Sequence, residues 1–340
     1  MKTKFQIYAI LVMLMQNAGL YSQYVIDNQE ELHDLKNLPL EKVYVSTSNQ
    51  LIFSGEYVYY AFYCFGTHNG RLSRISKIGY VALINQDGDY VFEQKLKLNN
   101  GLGQGEFFVP TSMPSGNYKL LAYTQWMKNG GLQQVYKQDI VLINPYNTDQ
   151  SNLLKKRVSR ETLARANSAS IAVDSATIGV TLVQDQFKQR SRVRFSLKNY
   201  RGVLGNGTYT IKVVKKNPFK HAPHTSAMVF SKNYLDVPKQ VSLKVGDSLF
   251  LPEQRGELVF GSVRNSETEQ LVANLPVIIS IPGKNFMLKF ATTDQDGNFY
   301  TYLQKDYKNP IAIVQTQDTI ANLKIQLGTP RRLNVSGLTF

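Results

Sequence analysis

The sequence predicts an all-β protein built from tandem β-sandwiches. Short alternating segments rich in Tyr, Phe and Val recur along the chain, and residues typical of turns separate them. The chain has 20 Tyr and 17 Phe among 340 residues, and aromatic side chains favour strands. No block shows the long amphipathic helices that a parallel α/β sheet requires. At about 100–150 residues per domain, this length predicts two or three domains.

The first predicted sandwich covers residues 41–145. The segment "KVYVST" alternates with Val43 and Val45 on one face, whereas "YVYYAFYCF" is apolar on both faces. The pair Asp87-Gly88 lies between two alternating segments, which predicts a tight hairpin with positive φ at both turn positions. About seven short strands with regular turns are typical of a sandwich.

The alternation stops after this block and then resumes twice. Residues 146–170 contain few β-branched side chains and a basic cluster, so we interpret them as a linker. Residues 171–250 and 252–327 are again rich in strand patterns, and each predicts a further small sandwich.

The N-terminus resembles a secretory signal peptide over residues 1–22. "MKTK" supplies positive charge, and "FQIYAILVMLM" is an apolar run of 11 residues before a predicted cut near Ser22. Spanning a bilayer takes about 20 residues, so this run predicts export and no transmembrane segment. We expect a protein of the periplasm, the outer membrane or the cell surface.

The net charge limits the class of partner, and the cysteine count limits the covalent cross-links. The formal net charge is +14, which attracts anionic surfaces. For an exported chain this favours an anionic envelope polymer or an acidic protein face, and nucleic acid is not expected. Cys64 is the single cysteine, so no intrachain disulfide can form. Its context predicts a small apolar residue of a strand.

Motifs that carry catalytic or metal chemistry are weak, and we expect no enzyme activity, cofactor or metal. The chain contains no Gly-x-Ser-x-Gly elbow and no phosphate-binding loop. "DQDGN", which begins at Asp294, has Lys305 where a calcium loop needs glutamate, so a hairpin turn is predicted there. His221 and His224 lack further ligands nearby for zinc. Three Asp-Ser or Asp-Thr steps match a bacterial O-glycosylation pattern and give candidate acceptors at Ser175, Ser248 and Thr319.

Two regions of the chain carry a family resemblance. "EKVYVSTSNQLIFSGEYVYYAFY" and "PSGNYKLLAYTQWMKN" resemble the macroglobulin-like domain of alpha-2-macroglobulin-type proteins exported by Bacteroidetes. "GELVFGSVRN" and "TTDQDGNFYTYL" resemble the carboxypeptidase-regulatory-like domain, a prealbumin-like sandwich. The resemblance implies Ig-like, macroglobulin-like sandwiches over residues 41–145 and 171–250, followed by the regulatory-like sandwich.

The resemblance leaves three functions open. The first is a non-catalytic spacer or docking module of the cell envelope, acting with an outer-membrane or periplasmic receptor or transport partner. The second is an endopeptidase inhibitor, which would work without the family's thioester because the Cys-Gly-Glu-Gln tetrapeptide is absent. The third is a glycan-binding module with Trp126 as its platform. If the first sandwich contacts a partner, we expect the end marked by Trp126, Met127 and Lys128 to do so.

Overall fold

The computed structural model describes residues 24–26, 28–151, 178–184, 186–199, 243–284, 286–304, 311–316 and 322–340. The predicted signal peptide, most of the predicted linker and most of the 171–250 block lie outside these ranges. The described chain is all-β, as the sequence predicts. Its first elements are a two-residue strand, β1 (Tyr24–Val25), and a short helix, α1 (Gln29–Asn37).

Residues 41–143 form two sheets around one core. Their eight strands are β2 (Glu41–Thr47), β3 (Leu51–Phe53), β4 (Tyr57–Gly66), β5 (Ile78–Ile84), β6 (Tyr90–Lys97), β7 (Leu102–Phe108), β8 (Gly116–Tyr123) and β9 (Tyr136–Ile143). One sheet has the order β2-β4-β7 and the other β3-β9-β8-β5-β6. Only the β3–β9 pair is parallel among these neighbours. Buried side chains of both sheets meet in one core cluster, which makes the unit a sandwich.

Strand β4 shows how the sequence pattern produces this sandwich. Val58, Tyr60, Phe62 and Cys64 alternate inward and are buried, because successive side chains of a strand point to opposite faces. The aromatic residues between them point to the outer face. The prediction that Cys64 is a strand residue is confirmed, and its side chain is buried.

The β5–β6 connection confirms the hairpin at Asp87-Gly88 but corrects its turn. Of the two turn residues only Gly88 has a positive φ, of 87°. The loop spans residues 85–89, and the Asn85 side-chain oxygen accepts hydrogen bonds from the backbone N–H groups of Asp87 and Asp89. The longer loop lets Asp87 keep a negative φ, so the expectation of two positive angles was wrong.

The described residues after the first sandwich form three short strands and a second sandwich. The short strands are β10 (Ile178–Leu182), β11 (Phe195–Asn199) and β12 (Ser248–Leu249). β10 pairs with β11, and β12 pairs with β1. The second sandwich consists of β13 (Glu257–Asn265), β14 (Pro276–Ile281), β15 (Met287–Thr292), β16 (Asn298–Leu303), β17 (Ile313–Thr316) and β18 (Leu323–Leu327). Its two antiparallel sheets have the orders β16-β13-β18 and β15-β14-β17.

The last described residues, 331–340, return to the first sandwich. Leu333 is buried within the core cluster of that sandwich, and Val335, Leu338 and Phe340 pack against it. Lys119 lies 5.7 Å from the centroid of the Phe340 ring. Among the described residues, no helix has the length and apolar character needed to cross a membrane.

Because residues 331–340 pack on the first sandwich, the outward side chains of β8 are not exposed as the alternation predicts. The alternation predicts that Tyr118, Leu120 and Ala122 face the core while the residues between them face outward. Leu121 and Tyr123 do lie on the outward row, yet their exposed fractions are 0% and 1%. The outer face of this sheet is closed by parts of the chain that follow it by more than a hundred residues.

Candidate functional site

The residues proposed for partner binding lie where the two sandwiches meet. Trp126, Met127 and Lys128 open a short 3-10 segment, Trp126–Gln133, directly after β8. Their exposed fractions are only 3%, 2% and 7%. The three side chains therefore contact the chain's own segments and do not form an exposed face.

Trp126 joins the first sandwich to the N-terminal helix. Its ring lies in a cluster separate from the main core, with Ile26, Leu249, Leu32 and Leu35. Its Nε1–H donates a hydrogen bond of 3.2 Å to the carbonyl oxygen of Pro39. Met127, in contrast, belongs to the main core. Trp126 is thus part of an attachment for α1 and β12.

The sequence of α1 explains why a helix can supply this attachment. Asn28 is its N-cap, and the side-chain oxygen of Asn28 accepts from the Glu31 backbone N–H at 2.9 Å. Leu32 and Leu35 are three positions apart, so they share one face of the helix and are both buried. That face packs toward Trp126.

Lys128 crosses from the first sandwich to segments near the second. Its ammonium donates to the Gln125 side-chain oxygen at 2.9 Å and also to the carbonyl oxygen of Arg331. It lies 4.1 Å from the centroid of the Phe250 ring, within cation–π distance. Burial lowers the pKa of Lys128 to about 8, and the charge of Glu253 opposes that shift.

Glu253 is a buried carboxyl group at the same place, 9% exposed. Both of its oxygens lie within hydrogen-bond distance of the Tyr80 hydroxyl, at 3.0 and 2.9 Å. Its backbone carbonyl accepts from the Lys77 N–H at 2.8 Å. Burial raises the pKa of Glu253 to about 7, opposed by the Tyr80 hydrogen bond and the charge of Lys95. Burial also raises the pKa of Tyr80, and the Glu253 charge adds to that rise.

Further contacts attach the first sandwich to the second and to the segments that flank it. Lys95 on β6 forms an ion pair of 2.8 Å with Glu257 on β13. Arg332 pairs with Glu93 at 3.2 Å. Asn129 exchanges two hydrogen bonds of 2.8 Å with the backbone of Phe250. We call this region the sandwich junction and define it by Tyr80, Gln125, Lys128, Asn129, Phe250, Glu253 and Arg331.

A cavity of about 250 Å³ lies at the sandwich junction. Gln125 and Glu253 supply polar groups to its wall, and Phe260 and Tyr302 supply apolar ones. Pockets for drug-sized ligands run from roughly 300 to 1,000 Å³, so this one is small. The carboxyl, phenol and ammonium groups beside it already hydrogen-bond to each other or to backbone. Chemically, the arrangement is suited to holding two sandwiches in one orientation.

Of the other residues weighed as sites in the sequence analysis, four lie outside the described parts of the chain: Ser175, Thr319, His221 and His224. Ser248 lies in β12, where its backbone pairs with Val25. The "DQDGN" segment is a turn, as predicted, because the Asp294 carboxylate accepts from the backbone N–H groups of Asp296 and Asn298. Within the described ranges, no group of three or more His, Cys, Asp or Glu side chains could hold a metal ion.

Cys64 has no exposed reactive thiol. It is fully buried, and burial raises its pKa, with the Glu41 charge and a Glu41 hydrogen bond adding to the shift. A raised pKa disfavours the thiolate, which is the nucleophilic form.

Sequence reasoning missed Glu253 and Tyr80, and the signal for them was weak. Their hydrogen bond joins residues separated by 173 positions, which no local pattern encodes. A hint lay in "IGYVALI", since an apolar run on both faces of a strand indicates that both faces are covered. Every residue of β5 is in fact buried.

No protein-family model matches the chain, and no curated protein matches it significantly. Among solved structures, it is similar to the alpha-2-macroglobulin of Salmonella reacted with methylamine, at 10% identity and a TM-score of 0.26. That match covers 93% of this chain and 16% of the macroglobulin. The trypsin-activated alpha-2-macroglobulin of Escherichia coli matches at 11% identity over 86% of this chain and 16% of its own, with a TM-score of 0.26.

A third match is the sporulation control protein Spo0M of Bacillus subtilis. It is 13% identical over 42% of this chain and 58% of its own, with a TM-score of 0.24. The chain thus spans about a sixth of the length of the macroglobulins it is similar to. At TM-scores this low, the likenesses carry no argument about function.

Proposed function

We propose that this protein is a non-catalytic, exported component of the cell envelope that acts as a spacer or docking module. Its two described sandwiches would hold an outer-membrane receptor or transport partner at a fixed distance and orientation. The observation that carries the proposal is the sandwich junction, where buried side chains of the first sandwich bond to segments that flank the second.

Stiffness is the property that such a module needs. Domains joined by a small polar interface move relative to each other by default. Here Lys95–Glu257, Arg332–Glu93, Tyr80–Glu253 and Lys128–Arg331 attach the first sandwich at several separate points. Residues 331–340 add apolar contacts to its outer face. Several attachments in different directions favour one relative orientation.

The state of the ionisable groups supports a non-catalytic role. A catalytic acid or base must reach a substrate, usually in a pocket that holds it. Glu253 and Lys128 have shifted pKa values, a common feature of active sites, but structural networks shift pKa values too. Both side chains already form hydrogen bonds within the protein, and they lie beside a small cavity.

The export and partner parts of the proposal rest on the sequence. The predicted leader at residues 1–22 directs the chain out of the cytoplasm. The resemblance to macroglobulin-like domains suggests a place beside envelope machinery, and this step is an analogy at the level of the fold.

The test places a tagged protein in its native envelope and measures both location and partner. We expect cleavage of the leader, recovery in the envelope fraction, and stoichiometric cross-linking to one outer-membrane protein. Lys128→Glu places a second acid near Glu253 and should loosen the junction, so cross-linking should fall while each sandwich stays folded. Lys188→Glu changes an exposed lysine by the same charge and should leave cross-linking intact.

A cytoplasmic location, or a free monomer in the envelope, would contradict the proposal. Equal cross-linking by Lys128→Glu and the parent protein would also contradict it, provided that small-angle scattering shows the variant to be loosened.

A further inference from the structure

A second concave surface lies on the outer face of the β2-β4-β7 sheet. It is an open groove of about 1310 Å³ between this sheet and residues 67–77, which connect β4 to β5. We call it the Arg71 groove. Its volume exceeds the roughly 300–1,000 Å³ of pockets for small molecules, so its size fits a segment of a polymer. Its main lining residues are Tyr44, Tyr63, Phe65, His68, Arg71 and Arg74.

Aromatic rings form the floor of the groove. Tyr63 and Phe65 are two positions apart on β4, so both point to the outer face. Their ring centroids are 6.4 Å apart and their planes differ by 15°. Tyr44 on β2 is directly opposite Tyr63, with a centroid distance of 6.1 Å. Three adjacent rings thus give the groove a continuous apolar surface.

A fixed loop forms the basic wall of the groove. The loop turns at Gly70, whose φ of 61° is one that glycine adopts readily. Its backbone bonds back to the end of β4, through Gly66 N–H to the Arg71 carbonyl at 2.9 Å and Ser73 N–H to the Cys64 carbonyl at 2.8 Å. These bonds hold Arg71 at the edge of the sheet.

A buried carboxylate anchors the same loop from below. Glu41 is 1% exposed and accepts from the hydroxyls of Ser73 and Ser76, each at 2.5 Å, and from the Ser76 N–H at 3.1 Å. The Thr124 hydroxyl donates to it at 3.0 Å. A buried carboxylate needs such donors, and here most of them belong to the loop. The basic wall is therefore ordered in advance of any ligand, which lowers the entropic cost of binding.

The charge of the groove is of one sign. Arg71 and Arg74 are exposed, and His68 lies beside them. None of the described residues that line the groove carries a carboxylate. Among the ion pairs between described residues, none involves Arg71 or Arg74. Guanidinium groups pair with carboxylates through two parallel hydrogen bonds, so this wall is complementary to carboxylates.

We propose that the Arg71 groove binds an acidic polysaccharide, a chain of sugars that carries carboxylates. The apolar C–H faces of the sugar rings would pack on Tyr63 and Phe65, and the carboxylates would pair with Arg71 and Arg74. Amide groups suit the sugar hydroxyls, and Asn69 and Asn100 line the groove. The net charge of +14 would draw such a polymer toward the protein. The inference does not depend on the proposed spacer function.

Single-stranded nucleic acid is the rival ligand, because it also combines anionic charge with stacking on aromatic rings. A nucleic-acid strand carries one phosphate per nucleotide, and the grooves that bind it follow this charge continuously. The described wall has two guanidinium groups beside neutral amides, which is short of a continuous basic track. Nucleic acid is also not expected as a partner of an exported chain, so the sugar polymer is favoured.

Calorimetric titration of the purified protein tests the proposal. The probe is short oligogalacturonate, and the matched neutral probe is the same oligomer with its carboxylates methyl-esterified. We expect the acidic probe to bind and the neutral one to bind at least tenfold more weakly. The double variant Arg71→Ala with Arg74→Ala should bind the acidic probe more weakly, by roughly tenfold for each arginine. Combined Arg190→Ala and Arg192→Ala removes two exposed arginines elsewhere and should leave binding unchanged.

A further pair, Arg71→Lys with Arg74→Lys, keeps the charge and removes the planar fork. It should give an intermediate affinity, and it keeps the test informative if the alanine variant folds poorly. Absence of binding by the parent protein would overturn the proposal, as would an equal loss in the Arg190 and Arg192 control. Equal affinity for the neutral oligomer would refute carboxylate recognition. Tighter binding of a single-stranded oligonucleotide that depends on Arg71 and Arg74 would assign the groove to nucleic acid.

Discussion

The two outer faces of the first sandwich are built from similar residues but have opposite environments. On the five-stranded sheet, Leu121 and Tyr123 are fully buried beneath later segments of the chain. On the three-stranded sheet, Tyr57, Tyr59 and Phe108 are 52%, 54% and 48% exposed. Their rings contact one another, with a centroid distance of 5.2 Å between Tyr57 and Phe108. We call these the covered face and the open face.

The difference teaches that an apolar outer row has two uses in this fold. On the covered face it attaches the sandwich to the rest of the chain, through residues 331–340 and the sandwich junction. On the open face it remains accessible and continues into the aromatic floor of the Arg71 groove. Exposed apolar patches of this kind mark interaction surfaces. The covered face therefore serves architecture, and the open face is where a ligand can bind.

The largest expected effect comes from uncovering the covered face. Leu333 is 6% exposed and lies in the core cluster, so Leu333→Asp would bury a charge without a partner. We expect the free energy of unfolding to fall by about 4 kcal/mol or more. Urea denaturation measures it. Leu288→Asp, at a position 46% exposed, is the matched control and should cost less than about 1 kcal/mol. Similar losses in both variants would mean that residues 331–340 do not cover the sheet in solution.

The second effect is a pH dependence of stability that originates at Glu253. Its pKa rises from 4.5 to about 7 on folding, so between these pH values the folded state binds more protons than the unfolded state. The contribution of Glu253 to the free energy of unfolding is therefore fully present below pH 4.5. It is lost as the pH rises to 7, a change of about 3 kcal/mol.

Urea denaturation across this pH range, in the parent protein and in Glu253→Gln, isolates the contribution. Glutamine cannot titrate, so the difference between the two stability profiles should change by about 3 kcal/mol between pH 4.5 and 7. Glu269→Gln, at an exposed position, should reproduce the parent profile. A constant difference between the parent protein and Glu253→Gln across this range would show that Glu253 is not protonated in the folded state.

A feature could be predicted from the sequence when the residues that form it are close together along the chain. Strands such as β4 are encoded locally by alternation, and the hairpin at Gly88 by its turn residues, so both could be predicted. The partners of Trp126 could not, because Leu32 and Leu249 come from segments on either side of the first sandwich. The sequence analysis named this end of the sandwich as the place where a partner would bind, and it is the place where three parts of the chain meet.

The Arg71 groove was equally hidden. The aromatic floor is visible in "YVYYAFYCF" as alternate outward residues, but the wall depends on Glu41 holding Ser73 and Ser76, more than thirty residues away. A buried glutamate at the start of a strand looks in sequence like an ordinary surface residue. Buried polar anchors of this kind are the part of a site that local patterns cannot indicate.

A smaller effect should follow from Trp126→Phe at the attachment of α1. Phenylalanine keeps most of the apolar contact with Leu32 and Leu249 but loses the hydrogen bond to the Pro39 carbonyl, which leaves that oxygen without its donor. We expect a loss of about 1–2 kcal/mol in the free energy of unfolding. Tyr146→Phe also removes one polar group, on a side chain that is 75% exposed, and should change little. If both variants lose the same amount, the Trp126 hydrogen bond contributes nothing to the attachment.

The smallest effect is expected on the open face, and it completes the comparison with the covered face. Tyr59→Ser removes a half-exposed ring that contacts Tyr57, so the free energy of unfolding should fall by no more than about 1 kcal/mol. The matched change on the covered face, Leu121→Ser, replaces a fully buried side chain and should cost about 3 kcal/mol or more. Urea denaturation of the two variants at one pH makes the comparison direct. Equal losses would mean that a further part of the molecule, or a second copy of it, covers the open face in solution, and the Arg71 groove would then be partly closed as well.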